Sequence, residues 1–195
     1  MRPSKWLAVS ALACAASAGS IAIAACPDLD GDSLCDISVL RGRVTRNLVG
    51  AQTFRGKIGL QGEFFTDPLN GDVFDVSADI VVHITDGLSD GMGGGLDRTF
   101  TWSPADCAVF VSSGHTRCTT PDGKAKVLFV SLRRTPQMFS FKINAKELDT
   151  VAPFLKPLTL TLTHGSPPIV REGALDECKS TSKGMNCRQP REPGK

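Results

Sequence analysis

Residues Leu158 to Thr163 read Leu-Thr-Leu-Thr-Leu-Thr, and no other run in the chain restricts its own conformation so tightly. A strict period of two puts the three leucines on one side of an extended backbone and the three threonines on the other. That is a strand with one buried and one wet face. Two more alternations precede it. Ala125, Val127 and Phe129 alternate with Lys126, Leu128 and Val130, and Phe139, Phe141, Ile143 and Ala145 alternate with Ser140, Lys142, Asn144 and Lys146. Short turn signals join the three runs, so Lys124 to Thr163 is expected to form a three-stranded meander.

The rest of the chain extends this pattern. Lys57 to Phe64 alternates around its glycines, and Val76, Ala78, Ile80, Val82 and Ile84 share one face of a further strand. Asp86 to Asp97 holds five glycines and no period, and is expected to be a surface loop. Leu96, Arg98, Phe100 and Trp102 then lie on one side of another strand, and Cys107 to Val111 begins a short one. A faint repeat is present: Lys57-Ile58 with the strand Ile80 to Ile84 parallels Lys142-Ile143 with the strand Leu158 to Leu162. Taken as a duplication, it predicts two halves that pack as two related sheets. Beyond Gly165 the period ends, and Gln189 to Lys195 is a Pro-rich charged tail expected to be disordered. About seven to nine short strands with no helical period predict an antiparallel β-sandwich, immunoglobulin-like or jelly-roll-like, with a partly open barrel as the alternative.

The first 25 residues carry an address. Arg2 and Lys5 precede an apolar run from Trp6, and Ala22-Ile23-Ala24 is a small-residue cleavage site, so 1–25 reads as a secretory signal. Ser17, Gly19 and Ser20 interrupt the run before it could span a bilayer. Ile23-Ala24-Ala25-Cys26 also resembles a bacterial lipobox, which implies acylation of Cys26 and anchoring to the outer membrane. Free release to the periplasm or exterior leaves Cys26, Cys35, Cys107, Cys118, Cys178 and Cys187, an even set suited to disulfides. The remainder divides into an acidic arm at 26–36, a β-sandwich at 37–175 and a polar, cysteine-containing tail at 176–195.

Charge and composition narrow the function. Without Arg2 and Lys5 the chain holds 20 basic and 20 acidic residues, a balance that argues against nucleic acid or a membrane surface as partner by bulk charge. There is no Tyr, and Trp102 is the one Trp outside the signal, which leaves it as the single stacking candidate for a glycan.

Cys26 to Asp36 reads Cys-Pro-Asp-Leu-Asp-Gly-Asp-Ser-Leu-Cys-Asp. Asp28, Asp30, Asp32 and Asp36 around Gly31 resemble the D-x-D-G-D core of thrombospondin type 3 and EF-hand calcium loops. The resemblance implies calcium, a hard cation that gathers oxygens from alternate positions of a tight loop. It is a partial match, because position twelve of an EF loop supplies a glutamate and this chain has Val39. Asp86, Asp90 and Asp97 form a second, weaker calcium option.

Catalytic signals are sparse. No G-x-S-x-G elbow is present, and Ser180 to Lys183 satisfies S-x-x-K without its companion motifs. His83, His115 and His164 are expected at the surface, and Cys107 and Cys118 as a disulfide between neighbouring strands. The sequence therefore supports an exported, non-enzymatic module with a binding, adhesion or structural role at a bacterial surface, its partner an extracellular protein or glycan. The alternative is a secreted hydrolase in which two of Glu63, Asp75, Asp79, Asp86 and Asp97 converge as a glycosidase-like pair.

Overall fold

The computed structural model describes residues 36–47, 54–88, 95–132 and 135–189. They form twelve strands: β1 (Ser38–Thr45), β2 (Gly56–Phe65), β3 (Ile80–Asp86), β4 (Asp97–Trp102), β5 (Cys107–Phe110), β6 (His115–Thr119), β7 (Ala125–Leu132), β8 (Thr135–Leu148), β9 (Leu158–His164), β10 (Ile169–Leu175), β11 (Cys178–Thr181) and β12 (Gly184–Arg188). Eight make one sheet in the order β11-β12-β1-β2-β8-β7-β6-β5, and four make a second in the order β10-β9-β3-β4. Both sheets are antiparallel throughout and no barrel closes, so the chain is an all-β sandwich. The core between the sheets is drawn from the inward positions of both: Ile58, Leu60, Phe129 and Ile143 from the large sheet meet Ile80, Ile84, Leu158 and Leu160 from the small one.

The expected meander is divided between the sheets. β7 and β8 pair as a hairpin in the large sheet, but the Leu-Thr strand β9 crosses to the small sheet and pairs with β3 and β10. Its leucines are buried as the alternation requires. The strand expected from Val76 starts only at Ile80.

Four strands fall outside the expected pattern, for three physical reasons. In β1 a bulge between Val39 and Arg41 shifts the parity, and Gly42 takes an inward position. A Cβ at Gly42 would come within 2.8 Å of Leu60, so the backbone itself packs there. In β10 the inward positions are Arg171, Gly173 and Leu175, which hides the apolar signal. The polar tail from 176 onward, up to Arg188, is the hairpin β11–β12, added to the edge of β1.

The repeat is real in topology, but not as two sheets. Exchanging each of β1 to β6 with the strand six places later reverses both sheet orders and leaves them unchanged. Each half therefore contributes strands to both sheets. The halves meet at the centre of each: β2 pairs β8 with Gly59 opposite Asn144, and β3 pairs β9 with His83 opposite Thr161. The outer edges of the large sheet match as well. Hairpin β5–β6 is tied by Cys107–Cys118 and hairpin β11–β12 by Cys178–Cys187.

Among the described residues, Arg171 and Asp72 form an ion pair inside the sandwich. Arg171 is fully buried, donates to the buried Asp72 carboxylate, and places its guanidinium 5.0 Å from the centre of the Phe64 ring. Removing one partner of such a pair is far costlier than replacing both, because the survivor's charge stays out of water. Asp72→Ala is expected to cost about 3–5 kcal/mol in urea unfolding, and the double change Asp72→Leu with Arg171→Met to recover most of that loss.

Candidate functional site

The structure disperses most of the residues that the sequence nominates. Asp28, Asp30, Asp32, Cys26 and Cys35 lie outside the described residues, as does Asp90 of the second calcium option. Asp36 is buried, and its carboxylate accepts the Glu172 amide at 2.8 Å, which fastens the start of β1 to β10. Trp102 is completely buried and its indole N–H donates to the Ala125 carbonyl, so its ring offers no face to a glycan. That corrects its assignment as a stacking residue. Trp102 shares the parity of Phe100, and that parity points into the core.

Four of the carboxylates of the hydrolase alternative lie at separate places, and Asp79 is exposed ahead of β3. Asp86 is buried and accepts the amides of Leu88, Leu96 and Leu155, tying two loops at one end of β3. Asp75 lies beyond the other end of β3 and takes the Ser77 amide and hydroxyl, which hold its carboxyl below the usual range. Glu63 is on the outer side of the large sheet, while Asp97 stands on the outer side of the small sheet, 2.8 Å from His83. Among the described residues no group of three metal-ligating side chains gathers.

His164 is not at the surface. It continues the inward parity of Leu158, Leu160 and Leu162 and is 1% exposed, packed against the Phe64 and Phe74 rings. Neither ring nitrogen has a hydrogen-bond partner. Burial, seconded by the Arg171 charge, lowers its pKa to about 4, so it is neutral at pH 7. A cleft of about 420 Å³ lined by Asp72, Asp75 and Pro167 opens nearby, but the imidazole is sealed from it. The ring therefore cannot serve as a base toward anything in that cleft.

The outer face of the large sheet is different. Side chains directly opposite one another across its strands form rows. One row runs Arg188, Arg41, Gln61, Lys142, Leu128, Arg117, and the next runs Lys179, Asn186, Arg43, Gly59, Asn144, Lys126, Thr119. A third runs Thr45, Lys57, Lys146, and the Lys146 amide donates to the Lys124 carbonyl. None of these rows contains an acid. Arg41 faces Arg188, whose amide donates to the Glu177 carbonyl at the sheet edge, and Lys57 faces Lys146, whose Nζ lies 3.3 Å from the Glu147 carboxylate; like charges so placed cost stability to the extent that such acids leave them un-neutralised. Arg43, Arg46, Arg55, Lys57, Lys124, Lys126 and Lys146 surround a concavity of about 810 Å³ floored by Gly59 and Asn144.

The opposite face has the reverse character. Outward residues of β3, β4, β9 and β10 include Thr85, Thr99, Thr101, Thr159, Thr161, Thr163, Asp97 and Glu172, with no lysine or arginine among them. The near-zero formal charge of the chain thus conceals a sheet face on which cations are concentrated. The signal was present in the strands as alternate basic positions, Arg41 with Arg43 and Lys142 with Lys146, which the whole-chain total conceals.

Fold and surface together define a disulfide-tied, all-β sandwich with one strongly basic sheet face. Comparison with family models, curated proteins and solved structures returns no match to this chain. No helix among the described residues is long and apolar enough to cross a membrane.

The buried imidazole yields a pH dependence of known sign. Unfolded, His164 takes up a proton near pH 6.5; folded, it does so only near pH 4. Stability from this group is therefore complete above pH 6.5 and is lost as pH falls toward 4, by about 3 kcal/mol. In urea melts from pH 7 to 4, His164→Leu is expected to lower the slope of stability against pH by about one proton in that window.

Proposed function

We propose that this chain is an exported, non-enzymatic binding module whose working surface is the basic outer face of the eight-stranded sheet and whose partner is a polyanion at the cell exterior. The observation that carries the reading is the segregation of charge. Cations recur along the rows on one sheet face, stand side by side at Arg41/Arg188 and at Lys57/Lys146, where Glu147 relieves only the Lys146 side, and are missing from the outward positions of the other sheet. An anionic partner removes that repulsion and turns a cost to the free protein into binding energy. The cystines Cys107–Cys118 and Cys178–Cys187 support an oxidising, extracytoplasmic setting, and the scattered carboxylates give no support to hydrolysis.

Binding to immobilised heparin, a soluble polyanionic probe, tests the reading. Affinity is expected to fall by more than about tenfold for a threefold rise in salt, since several ion contacts release counterions together. Lys126→Glu is expected to weaken binding at least about tenfold at 0.1 M salt while the thermal midpoint holds, because Lys126 is exposed. Retention of wild-type affinity in that variant, or salt-independent binding, rejects the basic face as the site.

Calcium at the acidic segment belongs to the same proposal. Asp36 joins that segment to β10, so occupancy by Asp28, Asp30 and Asp32 is expected to raise the thermal midpoint at millimolar calcium. A midpoint that calcium does not move removes the metal from the account.

A further inference from the structure

Resting on the proposal above, we infer that the ligand is an acidic polysaccharide, and that one chain lies across β1, β2, β8 and β7 and is held by two half-sites placed symmetrically about the Gly59–Asn144 pair. The internal exchange of halves maps the central row onto itself: Arg43, Gly59, Asn144, Lys126 reads as cation, floor, floor, cation in either direction. It also exchanges the flanking rows, so that Lys57 of one half answers Lys142 of the other. Strands about 4.8 Å apart put the Arg43 and Lys126 backbones roughly 14 Å from one another, with neighbouring rows about 7 Å away. A flexible chain carrying an acid on successive sugars can reach both cations at once, and the second contact then forms at high effective concentration.

Three observations favour a polysaccharide over other polyanions. Neutral hydrogen-bonding groups, Gln61, Asn144 and Asn186, are interleaved with the cations, which suits a ligand bearing hydroxyls as well as acids. No aromatic side chain stands in the three rows, so bases have nothing to stack on. The surface is concave at Gly59 rather than convex, and Leu128, half-buried, is the one apolar side chain in the three rows, short of the apolar face that seats a protein in a bilayer.

Gly59 supplies a clean test, because a Cβ there would meet only the Asn144 Oδ1 at 4.0 Å. Calorimetric titration of the full-length protein with oligogalacturonates of increasing length, from the disaccharide upward, is expected to show affinity rising at least about tenfold once the chain spans both half-sites, at one chain per protein. Arg43→Ala and Lys126→Ala are each expected to lower the affinity of the spanning chain by a similar factor, about three- to tenfold. Gly59→Glu is expected to lower it at least about thirtyfold with an unchanged melting temperature, and Thr161→Glu, on the outer face of the other sheet, to stay within about twofold. Length-independent affinity, a null effect of either cation variant, or tighter binding to phosphatidylglycerol vesicles or to an oligonucleotide overturns the inference. Heparin binding without oligogalacturonate binding overturns this inference alone, whereas failure of every polyanion overturns the function proposed above as well.

Discussion

The antiparallel ladder between β2 and β8 is the seam on which the rest of the molecule depends. It joins residues from Gly56 to Phe65 to residues from Met138 to Leu148, more than seventy positions away, and fixes their register from Phe65 opposite Met138 to Lys57 opposite Lys146. One side of this ladder supplies Ile58, Leu60, Phe141 and Ile143 to the core; the other supplies Lys57, Gln61, Lys142 and Lys146 to the basic face. Because side chains alternate with a period of two, the register that closes the hydrophobic core also sets the spacing of the cations. A slip by one residue would exchange them.

Charge is handled differently inside and outside the sandwich. Arg171 and Asp72 neutralise one another at one end of the core, beside Phe64, while His164 is kept neutral by burial among phenylalanine rings. Outside, the cations of the large sheet are separated by strand geometry from most of the acids, with Glu63 one row away and Glu147 paired to Lys146 at the margin. The cystines Cys107–Cys118 and Cys178–Cys187 tie the two edge hairpins of the large sheet. Cys118 and Cys187 fall in one inward row with Val127, Ile143, Leu60 and Gly42, so each edge hairpin is pinned to the same layer of the core.

Much of this was legible from residues alone. The parities of Leu158–Leu162, Ile80–Ile84, Phe100–Trp102 and Val127–Phe129 all hold, and carried one step further they would have placed His164 and Asp86 inside. Strands whose inward positions are glycine or arginine, β1 and β10, were not legible, because their burial depends on what the facing sheet brings: Leu158 against Gly42, and Ile37 and Val39 against Gly173. The basic face was missed for a related reason. Its members come from seven strands and become neighbours only through pairing.

By itself, then, the order of residues determined that this is a β protein with alternating faces and two similar halves, since period, parity and repetition are properties of the chain as a line. Tertiary structure alone decided which strands belong to which sheet, that glycine and arginine fill inward positions of β1 and β10, and that the cations share one surface. Those outcomes are set by hydrogen-bonded register between segments far apart in sequence, and register between distant strands cannot be read from either strand separately.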